Sequence, residues 1–78
     1  MSVQLEGDQI VLDGDCFIED AETLTSLLQV PGRTVDVTQC RVLHTAVLQA
    51  MLAFRPDITG HMQDEVMDGV LANSLRRG

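Results

Sequence analysis

Residues 34–55 contain neither glycine nor proline, yet their apolar pattern changes character partway along. Val35 and Val37 alternate with Thr34, Asp36 and Thr38, a period of two that predicts a strand buried on one face. From His44 onward the apolar positions crowd together at Ala46, Val47, Leu48, Ala50, Met51, Leu52 and Phe54. That density predicts a helix buried on most sides and closed by Arg55 and Pro56. A short polar turn is expected between the two, with the change from extended to helical backbone falling within residues 39–46. His44 and Thr45 then stand at the helix mouth, where the first amide N–H groups lack partners and the macrodipole favours negative charge. A hydroxyl placed there can cap the helix, receive a phosphoryl group or touch a partner protein.

The flanking segments complete an alternating order. Residues 3–6 alternate, Gly7 and Asp8 offer a turn, and residues 9–13 run mostly apolar, which together predict a β-hairpin broken by Gly14. Residues 19–30 place apolar side chains at 21, 24, 27 and 28, a helical stripe with Glu19, Asp20 and Glu22 in its first turn and Pro31 and Gly32 as its stop. Residues 57–60 suit a short strand beside the one containing Val35. In the last segment Val66, Val70 and Ser74 join Met67, Leu71 and Leu75 in a 3.6-period stripe, with acids at its start and Arg76 and Arg77 at its end. Gly69 inside it costs about 1 kcal/mol against Ala, so this helix depends on docking. Strands alternating with helices imply right-handed crossovers. The expected fold is therefore α/β, a single domain over residues 1–78, with a mixed, mainly parallel four-stranded sheet and about three helices on one face.

Composition removes several function classes. Seventy-eight residues, 45% apolar and 22% charged, suit one small globular core rather than a disordered chain. Phe17 and Phe54 are the only aromatic residues, so no platform exists on which to stack bases or sugars. The net charge is −7 and every cation is an arginine, which disfavours nucleic acid and anionic lipid and favours a basic patch on a protein. Cys16 and Cys40 form neither a disulfide framework nor a zinc quartet and read as buried apolar thiols. No signal-peptide pattern and no apolar run of membrane-spanning length occurs, so a cytoplasmic location without membrane insertion is expected.

On these residues the chain resembles the STAS domains, the module named for sulfate transporters and anti-sigma-factor antagonists. Leu12, Asp13, Gly14, Asp15 and Cys16 stand where that family has Leu-x-Gly-x-apolar, and residues 21–28 make the helix that follows. Val35, Asp36, Val37 and Thr38 match its apolar-Asp-apolar-Ser/Thr pattern. Leu43, His44, Thr45, Ala46, Val47 and Leu48 follow its apolar-Asp-Ser-Ser/Thr-Gly-Leu pattern in outline, and Ile58, Thr59 and Gly60 resemble the strand and glycine beyond. The resemblance spans about residues 3 to 60, without the final strand and helix of many members. It implies a bacterial, cytoplasmic, non-enzymatic signalling module with Thr45 at the phosphoacceptor position. His44 replaces the family's Asp and Ala46 its Ser/Thr, so the acid pair around the phosphosite is reduced to Asp36.

The candidate partner-binding residues are accordingly Asp36, Thr38, His44, Thr45 and Ala46. Thr45 has two readings, a phosphoacceptor or the N-cap of its helix. Asp36 meets a partner's cation, tunes the His44–Thr45 loop, or is a solvated strand residue pairing with Arg41 or Arg33. His44 reads as a surface or capping residue, because zinc needs at least three protein ligands and no spacing supplies them. Neither a metal nor a cofactor is expected. Asp36, Cys40, His44 and Thr45 include nucleophile types, but four short strands leave little room for a water-excluding cleft and no enzyme is expected. The expected partner is an anti-sigma or serine-kinase-like protein. In a second version the chain is a constitutive subunit of a transport ATPase, and in a third it is a homodimer paired through the last helix or a sheet edge.

Overall fold

In a computed structural model, which describes residues 2–74, seven elements follow one another. They are β1 (Val3–Glu6), β2 (Gln9–Cys16), α1 (Ile18–Leu28), β3 (Thr34–Leu43), α2 (Thr45–Phe54), β4 (Asp57–Thr59) and α3 (Glu65–Ser74). The strands lie side by side in chain order, with β1 antiparallel to β2 and the remaining pairs parallel. The fold is thus α/β with a mixed, mostly parallel four-stranded sheet and three helices. Gly7 and Asp8 make the two-residue hairpin loop between Glu6 and its partner Gln9.

The core is aliphatic and sulfur-rich. Ile10, Leu12, Val35 and Val37 point from the sheet into a cluster completed by Leu24, Leu28, Val47, Met51, Met62 and Leu71, all buried. Met51 and Met62 fill core space and Met67 packs against it, the use expected of flexible thioethers. The opposite sheet face stays polar. The row Gln4, Val11, Asp36 and Thr59 crosses all four strands there, and Gln9 Nε2 donates to Thr59 Oγ1 at 3.2 Å across β3.

Both central strands run further than their residues suggest. Gly14 does not end β2, which continues to Cys16; the glycine instead takes φ +71°, a left-handed value that suits a local irregularity in the ladder. The polar turn expected after Thr38 is absent, and β3 continues to Leu43 through two bulges. Two steps of β2, from Val11 to Asp13, face three of β3, from Asp36 to Gln39. One step, from Gly14 to Asp15, then faces two, from Cys40 to Val42. Buried positions in β3 therefore fall at Val35, Val37, Cys40 and Leu43 rather than at every second residue. Each bulge returns the following side chains to the core face that strict alternation would have turned outward.

Helix limits and faces also differ from expectation. α1 begins at Ile18 and ends at Leu28; its N-cap Phe17 offers no side-chain acceptor, and the Asp20 carboxylate reaches back to accept the Phe17 N–H at 2.8 Å. α2 is buried along Val47 and Met51 only, and Phe54 is exposed, so it is not enclosed on most sides. In α3 the buried residue is Leu71, while Val66 is 81% exposed and Val70 also faces outward. The expected stripe is therefore split, with Met67 and Leu71 turned inward and Val66 and Val70 outward; Leu75, Arg76 and Arg77 lie outside the described residues. Asp64 caps this helix by accepting the Val66 and Met67 N–H groups, and Asp68 ties the preceding loop to it through the Met62 N–H and the His61 ring. Among the described residues no helix is long and apolar enough to cross a membrane.

Candidate functional site

The backbone changes from extended to helical at one residue. His44 keeps a strand-like conformation, φ −66° and ψ 148°, and Thr45 already belongs to α2. The His44 N–H donates to the Cys16 carbonyl at 2.9 Å, which fixes the ends of β2 and β3 side by side. Because α1 starts just after Cys16 and α2 just after His44, the two helices leave the sheet from adjacent points and pack together.

The cap of α2 is His44 and not Thr45. Its Nδ1 accepts the Ala46 N–H at 3.0 Å, satisfying one of the open amides of the first turn. This use of the imidazole requires the neutral ring protonated on Nε2. With the cap supplied by its neighbour, Thr45 is exposed and its hydroxyl makes no hydrogen bond among the described residues. The hydroxyl therefore stands free at the positive end of the helix dipole.

Exposed apolar side chains lie near the strand ends that lead into this mouth. Phe17 and Ile18, at the start of α1, are 49% and 60% exposed, and Val42, near the end of β3, is 44% exposed. Beside them an open groove of about 580 Å3 runs between α1 and α2, lined by Ala21, Glu22, Thr25, Ser26, Ala46 and Ala50. Small side chains on both facing helices leave this furrow unfilled. Ala46 belongs to the mouth and to the groove.

Asp36 and Thr38 lie elsewhere. They occupy β3 near its start, on the face away from the helices, and the register sets Asp36 opposite Val11 and Leu43 opposite Cys16. Five residues of β2 separate those levels, roughly 16 Å along the strand. Neither expected arginine pairs with Asp36. Its Oδ1 accepts the Thr38 N–H at 2.9 Å and the Thr38 hydroxyl at 2.6 Å, while Arg41 pairs with Asp15 and Arg33 donates to the Leu27 carbonyl. The local Asp–Thr contact wins because it closes over two residues of one strand, with little entropy to lose. The five candidate residues thus divide into His44, Thr45 and Ala46 at the mouth and Asp36 with Thr38 on the open sheet face.

Cys16 and Cys40 are both fully buried and free, and Cys40 lies within β3 rather than at a strand end. The Cys16 thiol donates to the Ser2 carbonyl at 3.8 Å and the Cys40 thiol to the Val42 carbonyl at 3.6 Å. The neighbouring Cys40 thiol, with burial, raises the Cys16 thiol far above its ordinary range, and Cys16 in turn lowers that of Cys40. Both thiols lie out of reach of solvent.

Phe17, Ile18 and Val42 carry no signal in the sequence that separates them from core residues. Their exposure follows from the meeting of two strand ends at the Cys16–His44 bond, a tertiary relationship. Comparison of the chain with protein-family models, with curated proteins and with solved structures returned no match.

Proposed function

We propose that the chain is a non-enzymatic protein-interaction module, resembling the anti-sigma-factor antagonists, that docks through the His44–Thr45 helix mouth. The observation carrying this reading is the exposure of Phe17, Ile18 and Val42 near the strand ends that lead into the mouth, together with an unengaged Thr45 hydroxyl. Apolar side chains gathered at one end of a small domain are the usual anchors of a docking surface. With a net charge of −7, the surrounding surface suits a partner that is basic around an apolar centre, such as a serine-kinase-like regulator. Phosphorylation of Thr45 would add about 1.5 to 2 negative charges. The helix end tolerates that charge within the free chain, but a dry apolar interface does not, so modification would release the partner.

Two measurements test this together. Incubation with ATP and a host cell extract, read by intact mass, is expected to add a single phosphate that is absent in Thr45→Ala. Affinity capture of the cognate regulator is expected to fail for Ile18→Asp and to persist for Gln39→Asp, which places the same charge on the open sheet face. Equal capture by both variants would reject the mouth as the docking surface.

A homodimer is favoured by a separate observation, the outward pair Val66 and Val70 one turn apart on α3. Light scattering over a dilution series decides it. Val66→Asp would abolish a dimer formed this way.

A further inference from the structure

At the end of the sheet opposite the helix mouth lies a second hollow, of about 290 Å3, beside the C-terminal ends of α1 and α2. Leu28, Val30, Phe54 and Pro56 supply apolar walls. Arg33 and Arg55, two of the chain's five cations, line it together with Asp57. Arg33 is half-buried, and its Nη1 donates to the Leu27 carbonyl at 2.8 Å, closing one of the acceptors that the end of α1 leaves open. Its Nε is shut off from solvent and has no acceptor, and no carboxylate among the described residues pairs with its guanidinium. In a chain with twelve acids this is an unusual omission. A buried donor without a partner is costly, and its retention marks a place where something else completes the bond.

We propose that this hollow binds a small organic monocarboxylate with a short apolar body. A guanidinium presents Nε and one Nη as two parallel donors, a fork that matches the two oxygens of a carboxylate. A modest swing of the Arg33 head toward the hollow brings that edge to the ligand and relieves the orphaned Nε. Arg55 adds a second positive charge on the rim, and the walls from Val30 and Phe54 receive the ligand's carbon skeleton. Asp57 and the negative ends of two helices work against a dianion, which selects a monocarboxylate over phosphate.

The test is a titration of the whole chain with isobutyrate, followed through the arginine Nε–Hε resonances and the backbone amides. The Arg33 Nε–Hε signal is expected to shift and saturate together with amides of residues 28–33 and 54–57. Isobutyramide, equal in shape but uncharged, is expected to bind at least about tenfold more weakly. Arg33→Lys, which keeps the charge and loses the fork, is expected to weaken isobutyrate about tenfold or more. Inorganic phosphate is expected to leave the same signals in place. The proposal fails if isobutyrate gives no saturable shift, if the amide binds as well, if Arg33→Lys binds unchanged, or if phosphate saturates these signals. Should Arg33→Lys not fold, the comparison of carboxylate with amide on the unaltered chain decides by itself.

Discussion

Gly60 lies so close to Thr38 that no Cβ fits between them. A carbon placed there would run into the Thr38 hydroxyl oxygen and come within 3.0 Å of Asp36 Oδ1, the atom that already accepts two hydrogen bonds from Thr38. The glycine also holds φ +76°, a left-handed value. It closes the short strand β4 against the polar face of β3, and so fixes the start of the connection to α3.

Gly60→Ala is therefore expected to destabilise the fold by about 2 to 3 kcal/mol, from overpacking together with a strained backbone. Adding Thr38→Ala removes the principal clash and should recover part of the loss. About 1 kcal/mol is expected to remain, because the left-handed conformation is still imposed on an alanine. Urea unfolding of the two single variants and the double variant measures each part. A Gly60→Ala protein as stable as the parent would show that the loop moves away freely.

The cap formed by His44 gives a second expectation. His44→Ala should cost about 1 kcal/mol, the usual value of a lost N-cap acceptor. His44→Asn keeps a short side-chain acceptor suited to this position and should restore most of that stability. Thr45→Ala should change stability little, since Thr45 caps nothing. Thermal melts of the three variants separate the roles of the two neighbours. A larger loss in Thr45→Ala than in His44→Ala would reverse the assignment.

Where the backbone follows a simple period, its form was legible. The alternation of Val35 and Val37, the stripe through Leu24 and Leu28, and the stop at Pro31 and Gly32 all lead directly to the observed elements. The bulged part of β3 was not legible, because Val37, Cys40 and Leu43 recur every third residue with mostly polar residues, Thr38, Gln39 and Arg41, between them. That spacing looks like a turn leading into a helix, and only the register against β2 shows it to be extended. Gly14 misleads in the same manner, since a glycine that ends one strand and a glycine that accommodates a ladder irregularity look alike in sequence. At the site, the exposure of Thr45 followed from its place at a strand–helix junction. The exposure of Phe17 and Val42 did not, because it arises only where β2 and β3 end side by side. The separation of Asp36 from Thr45 was hidden for a related reason: β3 runs five residues beyond Thr38, carrying the mouth away from its start.

The buried thiols set an expectation for alkaline pH. Cys16 titrates above the ordinary thiol range in the folded chain, raised by the neighbouring Cys40 thiol and by burial. In the unfolded chain it ionises near the reference value of about 8.5. A folded-state value raised above the unfolded one contributes stability that is complete below about pH 8.5 and is lost as pH climbs beyond it. Cys40 is shifted downward, so the alkaline loss comes from Cys16. Stability should then fall as pH rises above about 8.5, relative to a Cys16→Ala, Cys40→Ala double variant. Urea unfolding under a non-thiol reductant between pH 7 and 10 provides the comparison, and parallel curves for the two proteins would count against a raised Cys16 thiol.

Asp15 and Arg41 face each other across β2 and β3 beside the second bulge, joined by two parallel hydrogen bonds of 2.9 Å. The geometry is the bidentate fork that suits an arginine and a carboxylate. The Arg41 side chain is nevertheless 67% exposed, so water and salt screen much of the attraction. The pair is expected to contribute no more than about 1 kcal/mol, and its role is to hold the bulged strands in register. Arg41→Met should lower stability by that amount in dilute buffer and by clearly less in 1 M NaCl, where the Debye length is about 3 Å. Amide hydrogen exchange in residues 40–43 is the more sensitive readout. Faster exchange there, with the rest of the sheet unchanged, is the expected signature of a loosened bulge, whereas a uniform increase would mean that the pair serves only global stability.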